Sequence, residues 1–113
     1  MESARMMLVF FDESDTWGDP RIPLYEAVVR VLLEEGIAGA TVMRGLLGYG
    51  AAHQLTQDAL SGASADRPVM VVCIDREERL RAALPRLQPM ITKGLVFLVS
   101  GEVLHWAGGD ARQ

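Results

Sequence analysis

The sequence is short of cysteine, aromatic residues and positive charge, and each shortage excludes a class of protein. Cys73 is the one cysteine, so no intramolecular disulfide can form and a disulfide-stapled secreted domain is excluded. Aromatic residues make up 6% of the chain, so its core must be built from aliphatic side chains and methionine. The net charge of −4 at pH 7 argues against a nucleic-acid partner, because that kind of binding needs clustered lysine and arginine.

Long apolar runs are missing as well. No run approaches the roughly 20 residues that a membrane helix requires, and no basic and apolar signal opens the chain. We therefore expect a cytoplasmic protein that is not embedded in a membrane, in a compartment where a lone thiol stays reduced. The length of 113 residues predicts one domain over residues 1–113, with a disordered tail at about 107–113.

Residues suited to catalysis or metal binding are sparse. His53 and His105 are the only histidines, and no motif joins them to further metal ligands. No candidate nucleophile lies beside a candidate base in the sequence. The acidic pairs at 34–35 and 77–78 fall on predicted helices, where such residues have ordinary structural roles. We therefore expect no enzyme activity, no metal site and no required cofactor.

One strong helical period and several apolar runs of strand length set the predicted order of elements. Leu24 to Glu35 repeats apolar residues with the helical period, Pro23 suits its first turn, and Gly36 suits a left-handed cap at its end. The spacing of Asp75 to Glu78 is that of a capping box that starts a second helix, whose last turn Pro85 disturbs. The predicted strands are Met6 to Phe11, Ala40 to Arg44, Pro68 to Ile74, and Leu95 to Val99 with an extension to Val103.

This order predicts an α+β, ferredoxin-like βαββαβ fold, in which a four-stranded antiparallel sheet carries two helices on one face. Three of the strands are apolar at every position, whereas a sheet with one face in water alternates apolar and polar residues. No third helix is available, so a second copy of the chain is predicted to cover the other face. Residues 45–66 are predicted as a long flexible loop, and loops beyond about 12 to 15 residues are usually functional or disordered.

Glycine is concentrated at the start of that loop. The segment Gly36 to Gly50, GIAGATVMRGLLGYG, has five glycines in fifteen residues. Two interpretations of Gly48 and Gly50 stay open, a tight turn or a close approach of a ligand to the backbone. Arg44 either faces a ligand cleft or pairs with a carboxylate, and Tyr49 either stacks on a base or packs on protein.

Four stretches together carry a family resemblance: FDESDTW at 11–17, PLYEAVV at 23–29, GIAGATVMRGLLGYG at 36–50 and RPVMVVCID at 67–75. Over nearly its whole length the chain resembles the PII-like domain-of-unknown-function family of small bacterial proteins. The resemblance implies a homotrimer of ferredoxin-like subunits with nucleotides in the clefts between them. It also implies that the loop at 45–66 contacts a partner protein, such as the membrane transporters that PII relatives regulate.

The resemblance further implies a set of ligand-binding residues. The glycine, tyrosine, glycine step at 48–50 resembles the step that approaches nucleotide phosphate in PII proteins, and exposed backbone N–H groups suit an anion there. PII proteins continue with an arginine, where this chain has Ala51. A lysine in the loop before the last strand acts as a point charge on phosphate. The predicted residues for an adenine nucleotide (ATP, ADP or AMP) are Arg44, Gly48, Tyr49, Gly50, Lys93 and Gly94.

Two hypotheses for function follow. In the first, the protein is a regulator that binds the nucleotide and contacts its partner through loop residues that include His53 and Gln54. In the second, the same trimeric fold binds a metal or a small molecule through His53 and acidic neighbours, with weak or no enzymatic activity. Replacement of His53 separates the two, because only the second requires it for a metal-induced change in melting temperature.

Overall fold

The computed structural model describes residues 2–50 and 66–107. His53, Gln54, the rest of 51–65 and the tail after residue 107 lie outside these ranges, and so do the predictions made for them. In the part of the chain that is described, no helix is both long and apolar enough to cross a membrane.

A four-stranded antiparallel sheet forms the centre of the structure, with strands in the order β4-β5-β1-β6. Two helices pack on one of its faces, so the α+β ferredoxin-like prediction is confirmed. The loop predicted between the first strand and the first helix also contains a short antiparallel hairpin, which the sequence did not indicate. The elements are β1 (Glu2–Asp12), β2 (Thr16–Trp17), β3 (Ile22–Pro23), α1 (Leu24–Glu34), β4 (Ala40–Arg44), β5 (Pro68–Asp75), α2 (Glu77–Leu87), a 3-10 turn (Gln88–Met90) and β6 (Leu95–Val103).

Helix α1 follows its sequence pattern closely. Its buried residues are the five apolar positions of the predicted stripe, Leu24, Ala27, Val28, Val31 and Leu32. Gly36 has a φ of 77°, and the N–H groups of Gly36 and Ile37 donate to the carbonyls of Leu33 and Leu32. That pair of bonds is the Schellman cap, so the predicted role of Gly36 is confirmed.

The start of α2 differs from the capping-box prediction. The helix begins at Glu77, and its N-cap residue is Arg76 rather than Asp75. The side chain of Arg76 makes no capping hydrogen bond. The carboxylate of Asp75 instead accepts hydrogen bonds from the backbone N–H groups of Ala38 and Arg76, at 3.0 and 2.7 Å. Because Asp75 is buried, these bonds tie the α1–β4 connection to the end of β5 and satisfy a charge that would otherwise be costly to bury. The helix continues through Pro85 to Leu87, and the 3-10 turn follows it.

The core lies between the helices and the face of the sheet that they cover. It unites α1 and α2 with alternate residues of β1 and β5, as the period-2 geometry of strands requires. Burial of each Val, Leu or Phe side chain contributes about 1.5–3 kcal/mol, so this layer supplies most of the stabilisation of a single chain. Its sheet residues are Met7, Val9, Phe11, Val69, Val71 and Cys73.

The other face of the sheet is also apolar, and in the described part of the chain no helix covers it. Residues paired across antiparallel strands project to the same side, and Leu8 pairs with Val72 on one side and Phe97 on the other. Phe97 is 54% exposed and Leu95 is 51% exposed. We call this surface the open face; with Thr41 at its β4 edge, it contains Met6, Leu8, Phe10, Met43, Met70, Val72, Ile74, Leu95, Phe97 and Val99.

Candidate functional site

The predicted site residues all lie at the same end of the sheet. Antiparallel pairing brings the ends of β1 and β4 beside the starts of β5 and β6, with Asp12 opposite Pro68 and Arg44 opposite Val69. We call this region the loop end; it comprises residues 12–15, 44–50, 66–68 and 93–94. Of the predicted residues, it contains Arg44, Gly48, Tyr49, Gly50, Lys93 and Gly94.

One backbone and one side-chain hydrogen bond join the start of segment 45–66 to the chain that follows its end. The N–H of Gly45 donates to the carbonyl of Pro68 at 2.7 Å. One guanidinium nitrogen of Arg67 donates to the carbonyl of Leu46 at 3.1 Å. Gly45 is required by packing, because a Cβ there would lie 2.8 Å from Cγ of Pro68. The two strands that flank the segment are therefore fixed at its base.

A turn after β1 binds the returning end of the same segment. The N–H and the hydroxyl of Ser14 both donate to the carboxylate of Asp66, at 3.0 and 2.7 Å. The N–H of Glu13 donates to the carbonyl of Arg67 at 2.8 Å. Sequence reasoning missed Glu13, Ser14 and Asp66, because a contact across 52 positions leaves no local pattern.

Arg44 projects from the end of β4 and is paired with Glu13. Nη2 of Arg44 lies 2.5 Å from Oε2 of Glu13. The arginine side chain is 62% exposed and that of Glu13 is 26% exposed. Of the two alternatives that the sequence left open for Arg44, the carboxylate pair is the one present in the described structure, and the ligand role stays a prediction.

The step at 48–50 differs from the other glycines of the loop end. A Cβ at Gly48 would meet Cγ of Pro68 at 3.4 Å, whereas a Cβ at Gly50 would have no described atom within 4 Å. Neither residue has a positive φ, so neither backbone conformation requires glycine. Tyr49 between them is 69% exposed. At Gly50 the described part of the chain therefore gives no internal reason for glycine.

Gly94 has an internal role that the sequence did not reveal. Its φ is 126°, and a Cβ would overlap the carbonyl oxygen of Phe10. Only glycine fits where the chain enters β6 across the end of β1. A contact of Gly94 with a ligand is a separate prediction that this packing neither requires nor excludes.

The charge of Lys93 acts on the Asp12 carboxyl of the same subunit. Burial raises the pKa of the Asp12 carboxyl, the charges of Asp66 and Asp15 raise it further, and Lys93 opposes them. Asp12 ends β1, which lies between the two edge strands β4 and β6, and Glu13, the next residue, is paired with Arg44. An anion between these cations within one subunit would meet two carboxylates.

The two cations also belong to opposite edges of the sheet. Arg44 ends β4 and Lys93 precedes β6, with β5 and β1 between them. Three strand spacings of about 4.8 Å separate the edge strands by roughly 14 Å. Each edge of the sheet therefore presents one cation, and only one, from this predicted set.

A groove of about 400 Å³ runs between α2 and β6 at the Lys93 edge. Its walls are mostly apolar, formed by Leu80, Leu84, Val96 and Leu98, and Gly94 closes the end next to Lys93. The groove lies across the sheet from Arg44, so it is not part of the cluster around Glu13. In the described ranges no group of three or more His, Cys, Asp or Glu side chains is arranged to hold a metal ion.

Solved structures share this fold. CPII, a nitrogen regulatory PII-like protein from Thiomonas intermedia K12 bound to ADP, AMP and bicarbonate, superposes with a TM-score of 0.68 at 20% identity, over 89% of this chain and 88% of that chain. The divalent cation tolerance protein CutA1 from Thermus thermophilus superposes with a TM-score of 0.58 at 10% identity, over 92% of this chain and 87% of that chain. These likenesses confirm the PII-like, ferredoxin-like fold.

Sequence comparison gives the family. A UPF0166 protein from Methanocaldococcus jannaschii is 31% identical over 104 residues, which are 91% of this chain and 94% of that protein. The model of the DUF190 family, described as "Uncharacterized ACR", matches residues 4–103. The family resemblance seen in the sequence is thereby confirmed, and the chain belongs to the DUF190 (UPF0166) family.

Proposed function

We propose that the protein is a cytoplasmic, homotrimeric regulatory protein that binds an adenine nucleotide in clefts between its subunits. It acts on a partner protein through segment 45–66 and has no catalytic activity of its own. The observation that carries the proposal is the position of the two predicted phosphate-binding cations, Arg44 and Lys93, at opposite edges of a sheet whose open face needs a second copy.

The open face supports the oligomer. An apolar surface of this kind on a lone subunit is typical of an interaction site. Sheets that pack face to face bury both surfaces, and each large side chain that leaves water contributes about 1.5–3 kcal/mol. Closed symmetry uses the same surface in every subunit, and a trimer around a threefold axis covers all three open faces at once.

The arrangement of charges supports a cleft between subunits. Within one subunit the space between the cations contains Asp12 and Glu13, which repel phosphate. When Arg44 of one subunit meets Lys93 of the next, the two cations approach a ligand from opposite sides. CPII, which shares the fold, is a nucleotide-bound precedent.

The first test is a thermal-shift panel on protein whose oligomeric mass has been measured. The panel contains ATP, ADP, AMP and GTP, each with and without magnesium. A ligand at about a hundred times its Kd adds roughly 2.7 kcal/mol of stability. We expect a trimer that is stabilised by an adenine nucleotide; a trimer that no nucleotide stabilises would overturn the nucleotide assignment.

Variants then locate the site. R44Q and K93Q should each weaken nucleotide binding, because each removes a cation from the phosphates. R30Q is the matched control, since Arg30 is an exposed arginine that pairs with Glu26 on α1. Its Kd should equal that of the wild type.

Mixed trimers decide whether the cleft lies between subunits. R44Q and K93Q subunits are unfolded together and refolded, which yields trimers that contain both. If one cleft uses Arg44 of one subunit and Lys93 of the next, one of the three clefts in every mixed trimer is intact and binding returns. If both cations act within one subunit, every subunit lacks one of them and binding stays weak.

The metal-binding alternative receives less support from the described residues. CutA1 shares the fold and is named for divalent cation tolerance, yet no metal-ligand cluster forms within 2–50 and 66–107. Divalent metals without nucleotide belong in the same thermal-shift panel. A metal-induced shift that is lost in H53A would favour this alternative over the nucleotide.

A further inference from the structure

Glu13 occupies the place beside Arg44 that the proposed function gives to a ligand phosphate. Its Oε2 atom lies 2.5 Å from Nη2 of Arg44. Resting on that proposed function, we infer that Glu13 is a built-in competitor: the contact between its carboxylate and Arg44 must break before a phosphate can bind Arg44. Glu13 then determines how tightly an anionic ligand must bind to occupy the site.

Glu13 is held in position by its backbone, whereas Arg44 is the more exposed partner. The N–H of Glu13 donates to the carbonyl of Arg67, and the next residue, Ser14, makes two hydrogen bonds to Asp66. The side chain of Arg44 is 62% exposed and that of Glu13 is 26% exposed, so the arginine has more freedom to turn towards a ligand.

The strength of the pair sets the size of the effect. Exposed ion pairs contribute about 0.2–1 kcal/mol, which corresponds to about a 1.4- to 5-fold change in an equilibrium constant. A ligand that binds Arg44 does so at the expense of this contact, so its apparent affinity is reduced by the free energy of the pair. Removal of the Glu13 charge should thus tighten nucleotide binding rather than weaken it, the opposite of what a ligand-contacting residue does.

The experiment measures the Kd of ADP by titration calorimetry for the wild type, E13Q, R44Q and the double variant E13Q/R44Q. E26Q is the matched control, since it makes the same change of charge and removes a similar exposed pair, with Arg30, on α1. We expect E13Q to bind ADP about 1.4- to fivefold more tightly and E26Q to match the wild type. The double variant should bind like R44Q, because Glu13 acts through Arg44.

The outcomes separate this inference from the proposed function. If the wild type binds ADP and E13Q binds it equally or more weakly, the competitor role is wrong and the nucleotide assignment stands. A gain in E13Q that persists in the R44Q background would also overturn it, since the effect would then be general electrostatics. If neither the wild type nor E13Q binds ATP, ADP or AMP, both assignments fall together.

Discussion

The two faces of the sheet are built from the same kinds of residue and lie in opposite surroundings. Val71 is fully buried beneath the helices, while its neighbour in sequence, Val72, points to the open face. Val9 is 0% exposed and Phe10, the next residue, is 37% exposed. Strand propensity and hydrophobicity are thus shared by both faces, and only the position of the helices distinguishes them.

The comparison teaches that the faces specify different levels of structure. The covered face determines how one chain folds, because its side chains interdigitate with α1 and α2. In the described part of the subunit no element covers the open face, so its apolar residues contribute to the association of subunits rather than to the folding of one subunit. A substitution on one face should therefore change the stability of the subunit, and a substitution on the other should change the assembly.

The largest effect is expected from a charge on the open face. Phe97→Asp places a carboxylate in every sheet interface of the proposed trimer, where an unpaired charge is very costly to bury. We expect trimers to dissociate to monomers, as measured by light scattering during size-exclusion chromatography. Leu33→Asp is the control, since Leu33 is 74% exposed on α1, and its variant should keep the trimeric mass. A trimeric Phe97→Asp protein would mean that the open face is not the interface.

The next largest effect is expected from a cavity under the covered face. Leu80 of α2 is almost fully buried, and Leu-to-Ala changes at such sites cost about 2–5 kcal/mol. Leu80→Ala should lower the free energy of unfolding by that amount in a denaturant titration. Leu33→Ala, at the exposed position on α1, should change it by less than about 0.5 kcal/mol. Equal losses in the two variants would contradict the assignment of the core.

Sequence predicted the fold well where one face of an element meets the core. The stripe of α1 from Leu24 to Leu32 and the Gly36 cap were both correct, since period and capping are local properties. Asp75 was predicted as a helix cap and is instead bound to Ala38, across the fold. Glu26, Arg30 and Glu34 are spaced four apart in the sequence, which predicts pairing along α1; Glu26 does pair with Arg30, whereas Glu34 pairs with Arg86 of α2.

Sequence predicted less of the candidate site, for a physical reason. The residues proposed for a ligand lie at one end of the sheet because antiparallel pairing brings them there, which the strand order made predictable. The turn of Glu13 and Ser14, which binds Arg44 and Asp66, depends on contacts between distant segments. Such contacts follow from the fold and have no signature in the spacing of residues.

A smaller effect on the free energy of unfolding is expected at the loop end, where the chain enters β6. Gly94→Ala puts a side chain at a φ of 126° and against the carbonyl of Phe10. Backbone conformations of this kind cost about 1–3 kcal/mol, which should appear in the free energy of unfolding. Gly39→Ala is the control: Gly39 lies between α1 and β4, its φ is not positive, and an added Cβ would have no described atom within 4 Å, so this variant should be nearly neutral. A neutral Gly94→Ala would show that the entry to β6 can relax.

The smallest effect is expected from the ionisation of Cys73, which lies on the covered face of the sheet. It arises only at alkaline pH, and it tests whether the helices shield the thiol from water. Burial, with the charge of Asp75, raises the pKa of the Cys73 thiol from 9.0 to about 11. Between those values the unfolded chain releases a proton that the folded chain keeps, so stability falls as the pH rises, by up to roughly 1.4 kcal/mol per pH unit. Cys73→Ala lacks this loss, so the stability advantage of the wild type over the variant should shrink from pH 9 to pH 11. Denaturant titrations at pH 7, 9 and 10 measure that difference. If it stays constant, the thiol ionises equally in both states and is not shielded by the helices that cover its face of the sheet.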